Sequence, residues 1–285
     1  MPHALLLPRS FQLAPDEVHV WRVVLDVTSE TSALLYATLA RDERDRAARF
    51  RFEHDRRRFI AAHGALRDLV ARYLDARPGR IAYVYNDFGK PALGPEFDGR
   101  LKFNLSHSNG FALVAITAGS EVGVDLEHVR APTDFAAIAR GFFSAAEAEH
   151  LAALPSHLCA EAFLGCWTKK EAYLKASGEG LATPLNGFSV PMATDYVDTP
   201  VDLYAASNAN GPAKRWSLYT LKPTPGYIGA VAIEGTGWRL QQRPWAPPSD
   251  ANALRADGTL LDDRRGHDHR GLHGQRVEIG AAVGP

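Results

Sequence analysis

The sequence predicts a mixed α/β (α+β) protein of two similar α/β lobes followed by a polar tail. Three observations lead there. Short apolar strand-like runs and long runs of helical period follow one another along the chain. The segment from Phe59 to Arg72 can be laid on the segment from Phe163 to Ala176, each a helix ahead of strand-rich sequence. After Trp238 the composition turns to Pro, Gly, Asp, Arg and His with few large apolar residues. The expected divisions are residues 1–118, an N-terminal lobe; 119–238, a C-terminal lobe; and 239–285, a mostly disordered tail. Within that tail, His267, His269 and His273 offer a metal-binding cluster, though a solvated polar segment is the commoner outcome.

Val18 to Val27 reads as a buried strand. A polar, Arg-rich helix is expected from Thr31 to Arg49. Phe59, Ala62, Leu66, Leu69, Tyr73 and Leu74 repeat at helical spacing, which places a helix over Asp55 to Ala76 with one buried stripe, stopped by Pro78-Gly79. Ile81 to Tyr85, Leu101 to Asn104, Phe111 to Thr117 and Val122 to Val129 read as strands. Asp87 to Gly99 is a Gly/Pro-rich loop. Ser144, with Glu147 three residues on, is a capping box that opens a helix. A further helix runs from Ala160 to Ala176 and ends at Gly178. Trp216 to Lys222 and Tyr227 to Glu234 form a hairpin around Pro223-Thr224-Pro225-Gly226.

Composition narrows the function classes. The chain has 285 residues, 46% apolar and 23% charged, with a net charge of −1. That balance suits a soluble globular protein and supplies no global basic field for nucleic acid. No apolar run approaches the roughly 20 residues of a membrane span. The start, Met-Pro-His-Ala-Leu-Leu-Leu-Pro, lacks the basic region of a signal peptide. Cys159 and Cys166, the two cysteines, are expected to be reduced. A cytoplasmic location is expected.

Four stretches carry chemistry. In Gly123-Val124-Asp125-Leu126-Glu127 strand alternation puts Asp125 and Glu127 on one face. Two such carboxylates repel unless a cation joins them, and hard oxygen donors suit Mg²⁺; solvated acids on an edge strand are the alternative. In Trp167-Thr168-Lys169-Lys170-Glu171-Ala172-Tyr173-Leu174-Lys175, Glu171 and Lys175 share a helix face. They form either a surface ion pair or a site for a metal-bound diphosphate. Phe103-Asn104-Leu105-Ser106-His107-Ser108-Asn109 reads as a strand entering a polar turn, where Ser106 and His107 offer donors to phosphate. Phe88-Gly89-Lys90-Pro91 presents Lys90 from a rigid loop.

In this order the stretches resemble the Sfp-type family of 4'-phosphopantetheinyl transferases. The family pattern is matched by Gly89-Lys90-Pro91, Phe103 through Ser108, Gly123 through Glu127, Phe142-Phe143-Ser144, Trp167 through Lys175, and Gly178-Glu179-Gly180-Leu181, over roughly residues 16 to 235. The resemblance implies two α/β lobes related by a pseudo-twofold axis, with coenzyme A and Mg²⁺ at their junction. It implies Asp125, Glu127 and Glu171 as metal ligands, and Lys175 and His107 on coenzyme A phosphates. It places Lys90 and Ser106 on the nucleotide side, and Arg46 and Arg58 near the 3'-phosphate. Glu43 stands where the family often has a basic residue.

The implied reaction moves phosphopantetheine from coenzyme A to a serine of an acyl or peptidyl carrier protein and releases 3',5'-ADP. Glu171 is expected to accept the proton and Lys175 to stabilise charge. A monomer acting on no nucleic acid and no membrane is expected. A metal-dependent diphosphate hydrolase and a non-catalytic carrier-binding protein are the rival readings.

Overall fold

A computed structural model describes residues 11–97, 99–129, 135–178, 180, 183–192, 201–205 (backbone only) and 214–247. Two antiparallel-rich sheets lie face to face, each backed by one long helix. The first sheet has the order β10-β1-β5-β4, from β1 (Glu17–Val24), β4 (Lys102–Ser108), β5 (Phe111–Thr117) and β10 (Arg239–Pro244). The second has the order β6-β9-β8-β7, from β6 (Val122–His128), β7 (Val201–Ala205), β8 (Lys214–Leu221) and β9 (Tyr227–Glu234). A small hairpin, β2 (Tyr83–Tyr85) and β3 (Pro91–Leu93), stands apart from both.

Alternation along the strands sorts apolar side chains into three cores. Trp21, Val23, Ala112, Val114 and Ile116 face α3 (Glu53–Leu74) together with Phe59, Leu66 and Leu69. Val18, Val20, Leu113 and Ala115 turn the other way and meet Val122, Val124, Leu126 and Val231 of the second sheet. Ile228, Ala230, Ala232 and Leu218 face α6 (Ser156–Ser177), packed against Phe163, Trp167 and Leu174. Both α3 and α6 have 22 residues, and they contain the two segments that the sequence lays on one another. The order is helix, sheet, sheet, helix.

Three readings are corrected. The single helix expected over Thr31 to Arg49 is two, α1 (Ser29–Thr38) and α2 (Arg41–Ala47), because Leu39 and Ala40 are extended. Glu43 closes the second start by accepting the Ala40 N–H at 2.9 Å. The Ser106-His107-Ser108 turn is strand: β4 runs through Ser108, and Asn109 at φ 50° begins the turn. Finally, residues 239–247 are not tail. β10 pairs in parallel with β1, Val18 opposite Leu240. Trp245 is buried, and its indole donates to Asp68 Oδ2 at 2.8 Å. Residues 248–285, including His267, His269 and His273, lie outside the described residues.

Smaller expectations hold. Ser144 and Glu147 cap α5 (Ala145–Ala153) reciprocally, and Gly178 ends α6 in the left-handed region at φ 73°. Ahead of α5 lies α4 (Phe135–Phe142). Cys159 and Cys166 form no disulfide, and burial pushes the Cys166 thiol well above its ordinary value.

Candidate active site at the seam of the two lobes

β4 and β6 are edge strands of different sheets, and side chains join them. Val124 N–H donates to Asn104 Oδ1 at 2.9 Å, and His128 N–H donates to Ser108 Oγ at 3.1 Å. Ser106 Oγ donates to Asp125 Oδ1 at 2.9 Å, and Ser108 Oγ to Glu127 Oε2 at 3.2 Å. Every second residue of β4 thus takes part. Polar residues sit here because β6 offers backbone N–H groups and carboxylates, which buried polar surface must satisfy.

α6 lies across the face of β6 that carries Gly123, Asp125 and Glu127. From its last turn Lys175 reaches down, and its amine lies 2.5 Å from Asp125 Oδ1, 3.1 Å from Ser106 Oγ and 3.3 Å from the Val124 carbonyl. Asp125 is 1% exposed, and its Oδ2 has no hydrogen-bond partner. Lys175 therefore reaches beyond the helix face that it shares with Glu171. It pairs with the buried acid of the facing strand.

The site residues sort into three groups. Ser106, Asp125 and Lys175 touch directly. Glu127 follows on the same strand face, half-buried, and Glu171 lies one turn before Lys175, also half-buried. His107 is on β4, but alternation puts it on the strand face opposite Ser106, the face of Phe103 and Leu105. Among the described residues no three Asp, Glu, His or Cys side chains are gathered closely enough to cage a metal. The donor chemistry nonetheless suits a hard cation: two carboxylates share a strand face, a third sits on the helix above, and one buried carboxylate oxygen is unmatched.

The basic residues are engaged elsewhere. Arg58 makes a two-pronged contact with Asp26, Nε to Oδ1 at 2.8 Å and Nη2 to Oδ2 at 3.0 Å, and donates to Asn109 Oδ1 at 2.9 Å. This pairing raises its pKa and lowers that of Asp26. Arg46 is exposed, stacks over the Phe59 ring at 5.3 Å, and lines a cavity of about 340 Å³ with Arg49, His63 and Tyr85. Glu43 lines that cavity too, ion-paired to Arg67 at 2.5 Å and with Oε1 3.3 Å from His63 Nδ1. Burial opposes its charge, but His63 and Arg67 outweigh it and hold the carboxyl below its ordinary value. Lys90 gives its amine to Glu121 Oε2 at 2.6 Å and to the Ala176 carbonyl at 2.7 Å.

Sequence reasoning missed Asn104, Ser108 and Gly123. Their signal was the matched alternation of two polar strands, with a glycine where a helix had to cross. It also missed Lys170, fully buried, whose amine meets Glu147 at 2.8 Å and the Leu185 carbonyl at 2.7 Å.

Comparison with known proteins finds relatives for this chain. A profile described as the 4'-phosphopantetheinyl transferase superfamily matches residues 121–228, from β6 through α6 to the start of β9. One described as 4'-phosphopantetheinyl transferase, N-terminal, matches residues 26–119. The chain is 40% identical over 233 residues to the 4'-phosphopantetheinyl transferase HetI of Nostoc sp. (strain PCC 7120 / SAG 25.82 / UTEX 2576), covering 81% of this chain and 94% of that protein. It is 33% identical over 181 residues to a phosphopantetheinyl transferase of Thraustochytrium sp. (strain ATCC 26185 / S-3), covering 59% and 60%. It is 27% identical over 169 residues to the 4'-phosphopantetheinyl transferase Sfp of Bacillus subtilis (strain 168), covering 59% and 73%. With both lobes matched and a relative followed over nearly its whole length, the chain belongs to the 4'-phosphopantetheinyl transferase family.

Proposed function

We propose that the chain transfers the phosphopantetheine arm of coenzyme A to a serine hydroxyl of an acyl or peptidyl carrier protein, working at the α6–β6 seam. The observation that carries this reading is the buried Ser106–Asp125–Lys175 contact with its unmatched carboxylate oxygen. Asp125, Glu127 and Glu171 would hold Mg²⁺, which when bound neutralises diphosphate charge.

The chain's own residues do the rest. Lys175, anchored on Asp125 from the last turn of α6, brings a positive charge to the diphosphate. Its charge is worth most as negative charge develops there. Ser106 fixes the Asp125 carboxylate by donating to Oδ1, so that carboxylate keeps one orientation. The carrier serine oxygen attacks the β-phosphorus, the bond from that phosphorus to the bridging oxygen breaks, and 3',5'-ADP departs. The serine proton passes to Glu171, half-buried at the rim. Arg46, with its exposed guanidinium beside the cavity, takes the 3'-phosphate. Arg58 reaches the same group only by leaving Asp26. His107 serves from the opposite face of β4.

Among the described residues no helix is long and apolar enough to cross a membrane. A cytoplasmic monomer acting on neither membrane nor nucleic acid fits the proposed substrates. The deciding experiment incubates the protein with coenzyme A, Mg²⁺ and several apo carrier domains and weighs the products. Addition of phosphopantetheine to a carrier serine is expected. Hydrolysis of coenzyme A with every carrier unmodified would replace this reading by diphosphate hydrolysis.

A further inference from the structure

The three rungs that side chains build between β4 and β6 do different things. Asn104 accepts a backbone N–H, from Val124. Ser106 donates to Asp125, and its oxygen also meets the Lys175 amine at 3.1 Å. Ser108 is the last rung. Its oxygen accepts the His128 N–H at 3.1 Å and donates to Glu127 Oε2 at 3.2 Å. Each acid on this face of β6 therefore has a serine of its own, and the step is two residues on both strands.

The direction of the Ser108 bond is set by its surroundings. A hydroxyl has one proton and two acceptor positions, and a backbone N–H can only donate. The His128 N–H takes an acceptor position, so the proton of Ser108 is left for Glu127. The backbone beneath Ser108 is held as well. Ser108 pairs with Phe111 across the β4–β5 hairpin. Asn109 follows at φ 50°, and its Oδ1 accepts from Arg58 Nη1 at 2.9 Å. At Gly110 a Cβ would come 3.1 Å from Asp26 Oδ2, the same carboxylate that accepts from Arg58. The hairpin end is thus clamped to α3. Glu127 is half-buried at the rim, where a carboxylate without such a donor keeps several rotamers that binding must suppress.

We propose that Ser108 is a positioning residue for Glu127. It ties one carboxylate oxygen to the seam and so holds the acid in the orientation in which it and Asp125 share a cation. The effect on cation binding rests on the reading of Asp125, Glu127 and Glu171 as Mg²⁺ ligands. The contact between Ser108 and Glu127 does not.

The test uses Ser108→Ala and Ser108→Thr in the full chain. Mn²⁺, in place of Mg²⁺, is titrated with coenzyme A present and no carrier, and free Mn²⁺ is read by electron paramagnetic resonance. Ser108→Ala is expected to weaken Mn²⁺ binding by about tenfold, as when a group that orients a ligand is lost. Ser108→Thr keeps the hydroxyl and is expected to stay within about threefold of wild type. The contact itself is read by urea unfolding, without metal or coenzyme A, in a double-mutant cycle of Ser108→Ala with Glu127→Ala. The two single losses together should exceed the loss in the double variant, a coupling of about fivefold in the unfolding constant. Additive losses overturn the proposal. So does wild-type Mn²⁺ affinity in Ser108→Ala, and so does equal weakening in the alanine and threonine variants. Should wild type bind no Mn²⁺, the ligand reading fails and the proposal with it, whatever the cycle shows. Should wild type bind Mn²⁺ and transfer nothing, the reaction reading alone fails, and the two measurements still decide the role of Ser108.

Discussion

Gly123 of β6 lies directly beneath Ala172 of α6. A Cβ on it would fall 2.1 Å from the Ala172 carbonyl oxygen and 2.3 Å from the Ala176 nitrogen. The atoms in the way are helix backbone, which cannot rotate aside. Gly123 therefore sets how closely the helix bearing Glu171 and Lys175 approaches the strand bearing Asp125 and Glu127.

Gly123→Ala should lift α6 from the strand and open the site. Overpacking against backbone places the expected loss at about 3 kcal/mol, read from urea unfolding. Activity should fall with it even where the fold survives, because Lys175 can no longer reach Asp125. A variant with wild-type stability and kcat would show that the close approach is dispensable.

Lys175→Met should cost both stability and rate. It leaves the buried Asp125 carboxylate without its cation. The expected loss is about 2 kcal/mol, below that of a fully buried pair because the Lys175 side chain keeps 23% of its exposure. kcat/KM for coenzyme A should fall by at least about tenfold. Mg²⁺ should raise the melting temperature of wild type and of Lys175→Met, and should do so little in Asp125→Asn, since a ligand stabilises only a fold that binds it. Equal Mg²⁺ shifts in all three proteins would remove Asp125 from the metal site.

Truncation separates strand from tail. Ending the chain after Pro247 should leave stability and activity unchanged. Ending it after Trp238 removes β10 and Trp245, uncovers β1 and leaves Asp68 without the indole donor. A loss of about 3–5 kcal/mol is expected, the range for deleting a buried aromatic. Trp245→Ala alone should give most of it in thermal unfolding. Equal melting of the two truncated chains would contradict the pairing.

His19 supplies a pH dependence. It is fully buried, with Nδ1 2.5 Å from the Tyr73 hydroxyl. Burial, helped by Arg243 and opposed by Glu17, lowers its pKa below the ordinary 6.5. The unfolded chain then takes up a proton near 6.5 that the folded chain refuses, so stability is lost as pH falls below about 6.5, by at most about 1.4 kcal/mol per pH unit. The effect vanishes at higher pH, where both states are neutral. Urea midpoints from about pH 7.5 to 5.5 should slope in wild type and less in His19→Gln; identical slopes would assign the effect elsewhere.

Much of this was legible because local rules and tertiary structure agree. Ser144 with Glu147, and Gly178 after the apolar stripe of α6, announce a helix start and stop that the fold keeps. The acidic face of β6 was legible from alternation. Ser106 to Ser108 was not, because polarity reads as turn unless the facing strand is known to be polar too. β10 was missed for a related reason. It is a polar edge strand, with Arg239, Gln241 and Gln242 exposed, and one tryptophan holds the segment down. The partner of Lys175 could not be read from α6 alone: helical spacing offers Glu171, and only the crossing of helix over strand offers Asp125.

The parallel pairing of β10 with β1 also bears on the order of folding. Arg239 meets Asp16 across 223 residues. The outer edge of β1 therefore stays open while the whole second lobe is being synthesised. Contacts of such separation form late, and an open strand edge can pair with other chains meanwhile. During translation the second lobe has its own sheet and helix complete before the first lobe has its last strand. The half of the protein that begins the chain is the half that finishes folding last.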